Sequence, residues 1–364
     1  MMNKIEYDNI IAFHPGYYVK DIIEDMDLTQ EEFAIRLGTT PKNLSELLSG
    51  KIKLSTDLAM KLSRMLGTSV DVWINLEKSY EEKILEIENR KKLDEQIEIV
   101  KNIDYSYFTQ FGLPNTKNSE EKINYLCAFF MISNLSILKK KDFLINYRTG
   151  ISNINEKNVI NSKAWVQTAI NMGKQIETKN YDSEKLEKSI PKIRALTVSE
   201  PNEFFPVLKE ILSDCGVSFV LLPNLKNCGI NGAVKWINND KAILALNDRR
   251  SYADTFWFSL FHEIKHIFQH KTKTLIVSLE KKDLENLDEK LEIEADEFAK
   301  STLIPYGDYK SFCQKGIFTE DEITKFANSI NIHPGIVVGR LQKDKLIHFS
   351  CFNHLKRKYR IVCN

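Results

Sequence analysis

Apolar positions in the first hundred residues recur at helical spacing in short blocks, each closed by a glycine. In LTQEEFAIRLG, Phe33, Ala34 and Leu37 make one stripe. Thr29 stands at the N-cap place with Glu32 three residues on, a capping-box pattern, and Gly38 stands where a glycine ends a helix. Pro41 opens the next block at a first helical position, where its missing N–H costs nothing. Leu44, Leu47 and Leu48 form its stripe and Gly50 closes it; STDLAMKLSRMLG repeats the grammar from Ser55 to Gly67. From Glu77 to about Asn102 the chain is dense in Lys and Glu with sparse Leu and Ile, the pattern of an exposed connecting helix. Residues 103–189 are mixed and read as helical. The first hundred residues are thus expected to be short helices separated by tight turns.

Near residue 190 the texture changes. GVSFVLLP (216–223), NGAVKWI (231–237) and KAILALND (241–248) are short runs rich in β-branched, aromatic and aliphatic residues, bounded by Gly, Pro, Asn and Asp. Asn238-Asn239-Asp240 predicts a hairpin between the last two. A long helix follows from about Ser251 to His270, then a charged segment, then a helix around Leu291 to Thr302. Strands followed by helices indicate an α+β domain.

Composition bounds this picture without refining it. The chain has 364 residues, 43% hydrophobic and 28% charged, which predicts two or three globular domains. A net charge of +1 excludes a histone-like or polyacidic protein but not a local nucleic-acid face. No apolar run approaches the ~18 residues of a membrane span, and MMNKIEYDNI lacks the layout of a secretion signal. Six scattered cysteines without a CxxC indicate neither a disulfide framework nor a cysteine zinc site. The expected compartment is the cytoplasm.

The strongest chemical signal is FHEIKHIFQH. His262 and His266 are four apart, so on a helix both imidazoles project from one face. Two neutral imidazoles so placed can each give a nitrogen to tetrahedral zinc (Zn2+), which lowers the pKa of a bound water towards ~7. Glu263 lies where a glutamate takes the proton of that water. The bland alternative is a pair of surface histidines. A glycine three and a histidine six residues past His266 are absent, those places holding Gln269 and Thr272. The third ligand is therefore sought in KLEIEADEFAK. Glu292 and Asp296 share a helical face, and Asp296 could accept the free N–H of a ligand histidine. Glu294 sits about 200° round the helix from Glu292, so one of the two faces the metal. Glu292 is preferred for its partner Asp296; a solvated acidic face is the alternative.

HEIKH, EIEADEFAKSTLIP and INIHPGIVVGRLQ together resemble the ImmA/IrrE family of zinc metallopeptidase-like proteins, over roughly residues 190–347. The resemblance implies His262, His266 and Glu292 as zinc ligands and Glu263 as general base. It also implies bacterial repressor proteins as substrates. In the third block, a helix ending at Ile330 is followed by His333-Pro334-Gly335 opening another, with His333 structural.

The segment from His14 to about Tyr80 resembles a HigA-type antitoxin of the XRE helix-turn-helix class, including the opening His-Pro-Gly and Val72-Trp73-Ile74-Asn75-Leu76. The resemblance implies that residues 29–37 form the first helix of the motif and Thr40 to Ser49 the recognition helix. Between Phe33 and Leu66 stand six basic residues and two acidic ones, net +4; from Met1 to Glu32 the balance is −6. That asymmetry suits a domain with one side facing phosphates. Thr40 opens the recognition helix. Lys42, Asn43 and Glu46 lie opposite its leucine stripe and are the candidates for base contacts, while Gln30, Lys51 and Lys53 are candidates for phosphate. A helix-turn-helix packing on a protein partner is the alternative.

The expected fold class is multidomain: an all-α helix-turn-helix N-terminal domain with its connecting helix (1–100), a helical middle (101–189) and an α+β zincin-like C-terminal domain (190–364). The expected function is a regulator or antitoxin binding operator DNA as a homodimer. Its zinc domain would cleave or sense a protein partner, a cognate toxin or a repressor. The alternative is a non-catalytic antitoxin whose metal domain only binds a toxin. The strand Lys241 to Leu246 is expected at the sheet edge, open to a substrate strand. Trp165 and Trp236 are expected in the core, and the terminal HLKRKYR is expected to be solvated.

Overall fold

A computed structural model describes residues 4–140, 156–249, 251–269 and 281–359, the side chains of 281–288 excepted. Two units divide the chain between Glu98 and Ile99.

The N-terminal unit begins with a hairpin of β1 (Lys4–Tyr7) and β2 (Ile10–Phe13), with Ile5 opposite Ala12. This corrects the all-helical reading of the first hundred residues: strands of four residues are too short for period-two alternation to stand out. Tyr7 anchors the hairpin by donating its hydroxyl to Asp94 at 2.7 Å. Five helices follow: α1 (Pro15–Asp25), α2 (Gln30–Leu37), α3 (Pro41–Leu48), α4 (Thr56–Leu66) and α5 (Val70–Asn102). Thr29, Thr40 and Ser55 cap α2, α3 and α4 through their hydroxyls, each contributing about 1 kcal/mol. Phe33, Leu37, Leu44, Leu47, Leu58 and Leu62 meet in one core. Gly16 lets α1 press on α3, for a Cβ there would fall 2.1 Å from the Leu47 carbonyl oxygen. The connecting helix starts at Val70, earlier than expected, because Trp73 is buried in this core and its indole N–H donates to Thr68 Oγ1 at 2.8 Å.

The C-terminal unit opens with α6 (Ser106–Thr109), α7 (Ser119–Phe130), α8 (Glu156–Gln175), α9 (Ser183–Ala195) and α10 (Pro201–Asp214). Its sheet has β3 (Val217–Leu222), β4 (Gly232–Asn238) and β5 (Lys241–Asn247), in the order β3-β5-β4. β5 runs parallel to β3 and antiparallel to β4, which it meets through the expected hairpin. Lys241 to Leu246 is therefore the central strand, and the edge on that side is β4. The correction has a physical reason: KAILALN is apolar without alternation, as in a strand covered on both faces.

One face is covered by α8, whose Gly173 lies so close that a Cβ would meet the Ile243 side chain at 2.7 Å. The 101–189 stretch is thus part of the same compact unit as the sheet, with the Trp165 indole N–H donating to the Pro223 carbonyl at 3.1 Å. Trp165 is fully buried, and Trp236 packs partly buried against the main core. Against the other face lies α11 (Ala253–Phe268), followed by α12 (Lys281–Leu303), α13 (Tyr306–Gln314), α14 (Glu320–Ser329) and α15 (Pro334–Lys343). The charged segment expected after His270 falls largely outside the described residues.

The basic tail is not solvated as expected. Ala253 N–H donates to the Arg357 carbonyl at 2.9 Å, and Tyr359 N–H to the Ser251 carbonyl at 2.8 Å. Lys356 pairs with Asp254 at 2.8 Å, both side chains largely buried. Tyr252 and Trp257 supply the aromatic ground for Lys356 and Tyr359, so the run clasps the start of α11. Among the described residues no helix is long and apolar enough to cross a membrane.

Candidate metal centre and nucleic-acid interface

Apolar residues at helical spacing, Trp257, Leu260, Phe261, Ile264 and Ile267, pin α11 into the core shared with the sheet. That orientation turns His262 and His266 towards α12. Leu291, Ala295 and Ala299 are buried on α12, and Glu292 and Asp296 sit one residue beyond the first two. The chain thereby brings His262, His266 and Glu292 together, with one potential ligand atom from each lying within 4.8 Å of the others. His262 Nε2 is 3.0 Å from His266 Nε2. Glu292 reaches His262 Nε2 at 3.3 Å and His266 Nε2 at 3.4 Å. Glu294 turns away from this cluster and accepts from Gln269 Nε2 at 3.3 Å.

Each ring is held from behind. His262 Nδ1 lies 2.9 Å from Asp296 Oδ1, and His266 Nδ1 lies 2.8 Å from Gln269 Oε1. With both Nδ1 atoms turned to oxygens, both Nε2 lone pairs face each other and the Glu292 carboxylate. This is a set of acceptors that only a cation or an added proton can reconcile. Burial opposes charge on His262, yet Asp296, Glu292 and nearby Glu263 push its pKa up to about 10. Burial would raise Glu292, but the two imidazoles pull it far below the usual carboxylate range. The hydrogen bond to His262 holds Asp296 low. The donors fit zinc in kind, and their separations approach the edge of about 3.3 Å expected for tetrahedral ligands at ~2.0–2.1 Å.

Glu263, next to His262 on α11, is buried. It lies beside Gly232, the first residue of the edge strand β4. Sequence reasoning missed three supports of this site. In the sequence Gln269 shows only as the absence of a glycine, Gly232 only as part of a strand run, and the Asp254–Lys356 pair leaves no trace. Each acts through a partner distant in the chain: Leu291 and Glu294 for Gln269, Glu263 for Gly232, and Lys356 for Asp254.

In the N-terminal unit, Gln30 is exposed at the first position of α2, and Lys42 and Lys51 are exposed on and after α3. Thr40 spends its hydroxyl on the Asn43 N–H at 3.1 Å. The Asn43 amide donates back to Thr39 Oγ1 at 2.9 Å, while Glu46 is half-buried. Lys53 is ion-paired with Glu81, Arg36 with Glu32 and Lys61 with Asp57. Among the described residues Lys42, Lys51 and Arg64 carry no ion pair, so half of the basic residues counted in this stretch are neutralised within the unit.

Residues 229–341 match the family described as the IrrE N-terminal-like domain of the M78 peptidases, and residues 19–73 match the helix-turn-helix family. The uncharacterized HTH-type transcriptional regulator YddM of Escherichia coli (strain K12) is 29% identical over 83 residues, 22% of this chain and 88% of that protein. YbaQ, another uncharacterized HTH-type transcriptional regulator of the same organism, is 30% identical over 77 residues, 21% of this chain and 66% of that protein. A solved addiction module antidote protein of a HigA family from Coxiella burnetii is 24% identical, covering 23% of this chain and 92% of its own, with a TM-score of 0.22. The chain joins a helix-turn-helix segment, akin to those of transcriptional regulators, to an IrrE N-terminal-like domain.

Proposed function

We propose that the protein is a DNA-binding transcriptional regulator or antitoxin whose C-terminal unit is a zinc-dependent endopeptidase acting on a protein partner, a cognate toxin or a repressor. The observation that carries the reading is the acceptor-only cluster of His262, His266 and Glu292 with buried Glu263 on the same helix. Zinc held there would polarise a peptide carbonyl and make water acidic enough to attack it near neutral pH. His262, His266 and Glu292 would hold the ion, Asp296 would orient His262, and Glu263 would take the proton as general base. The edge strand β4 would receive the substrate as an added strand, since β5 is occupied on both sides.

The helix-turn-helix would bind an operator as a homodimer on a palindrome, with α3 in the major groove. Gln30, Thr40, Lys42, Asn43, Glu46, Lys51 and Lys53 remain the proposed contact set, Lys42 and Lys51 being best placed for it. A regulator on an operator works in the cytoplasm.

Glu263→Gln with zinc retained tests the catalytic part. Loss of partner cleavage by the purified full chain supports the peptidase; unchanged behaviour leaves a module that only binds its partner.

A further inference from the structure

Gln269 is 4% exposed and follows directly on α11. Its amide makes three contacts: Oε1 with His266 Nδ1 at 2.8 Å, and Nε2 with the Leu291 carbonyl at 3.0 Å and Glu294 Oε2 at 3.3 Å. A carbonyl and a carboxylate only accept, so the NH2 end must face α12 and the oxygen must face His266. An oxygen at that distance from Nδ1 requires the proton to sit on Nδ1, which leaves Nε2 bare. Leu291 immediately precedes Glu292, so one buried amide sets the tautomer of one ring and ties it to the backbone beside the third cluster residue.

We infer that Gln269 is a positioning residue that presents His266 Nε2 to the metal and couples α11 to α12. The inference rests on the zinc reading above and deepens it. His262 and His266 then differ in kind. The first is backed by a carboxylate with a side chain 45% exposed, the second by a neutral, buried amide. A charged backing at the deeper ring would stand against the Leu291 carbonyl and Glu294, both electron-rich, whereas an amide satisfies all three partners. Its role resembles that of the outer partners that fix histidine orientation in metal sites generally.

The test uses Gln269→Met in the full chain, which keeps volume and removes every hydrogen bond. By chelator competition its zinc Kd should rise about 10–100-fold. In histidine 15N spectra of the zinc-loaded wild type, His266 should carry its proton on Nδ1, protected from exchange; in Gln269→Met that protection should vanish. The wild-type spectrum suffices should the variant fail to fold: zinc bonded through His266 Nδ1 overturns the role. So does a folded variant with wild-type affinity and a protected proton. A wild-type chain that takes up no zinc overturns the underlying metal reading instead. In that case the role falls with it.

Discussion

A Cβ placed on Gly232 would stand 2.8 Å from Glu263 Oε1 and 2.9 Å from its Cγ. The edge strand and the buried carboxylate are in contact because that position has no side chain. Leu246 Cδ2 would stand 2.7 Å from the same Cβ. Gly232→Ala must therefore displace the Glu263 and Leu246 side chains rather than β4, whose register is pinned by β5. The expected result is full zinc stoichiometry with partner cleavage reduced about 100-fold, the scale of a 1 Å misplacement. Cleavage at the wild-type rate, measured on the same partner, would show that the placement of Glu263 does not depend on Gly232.

Operator affinity should depend on only part of the basic stretch. Each phosphate contact by a lysine contributes about 0.9 to the slope of log affinity against log salt. Lys42→Ala and Lys51→Ala should each flatten the slope by roughly that amount in anisotropy titrations with the protein's own promoter. Lys53→Ala should change it less, because Glu81 already holds that ammonium. Glu81→Gln should tighten binding. Equal losses at Lys51 and Lys53 would contradict the assignment.

His14 and His333 solve the same local problem. Each follows the pattern His-Pro-Gly, caps a helix, and accepts the glycine N–H on Nδ1, at 3.0 Å to Gly16 and 3.1 Å to Gly335. Burial lowers the pKa of both, against the pull of Glu77 at His14 and of Glu200 at His333, where Arg357 adds to the lowering. Below about pH 6.5 the unfolded chain binds protons that these folded rings resist. Their contribution is complete above that pH and is lost as pH falls through the lowered folded values. Asparagine keeps a capping acceptor without titrating. The His14→Asn, His333→Asn double variant should lose less stability than wild type between about pH 7 and 5 in denaturant unfolding. An identical loss would sink the argument.

The tail should matter to the metal helix. Lys356→Met leaves Asp254 charged, buried and unpaired, which costs about 3–5 kcal/mol. Urea unfolding of the C-terminal unit should show it, while Lys345→Met at an exposed position should stay within about 0.5 kcal/mol. A neutral result for Lys356→Met would show the pair to be solvated after all.

These expectations differ in how far the linear sequence carries them. The caps Thr29, Thr40 and Ser55 and the closing Gly38 and Gly67 act within a turn of themselves, so local pattern reveals them. His262 and His266 belong to one helix, and their spacing alone brings them together. Glu292 required a guess about a second helix, guided by its four-residue spacing to Asp296. Gln269 and Gly232 have no local signature: one matters because of Leu291, the other because of Glu263. The β1–β2 hairpin was too short to announce itself. The central place of β5 depends on a partner, β3, from which β4 separates it in the chain.

That last arrangement has a kinetic consequence. β4 and β5 join through a turn of two residues and can pair at once, whereas β3 must reach past the whole of β4 to lie parallel to β5. Long-range parallel pairing is slow because loop entropy is lost before contacts repay it. Rate measurements should find the β4–β5 hairpin and α11 ordered early and β3 with α8 late. The half of the unit that holds Glu263 would then exist before the half that seals the sheet behind it.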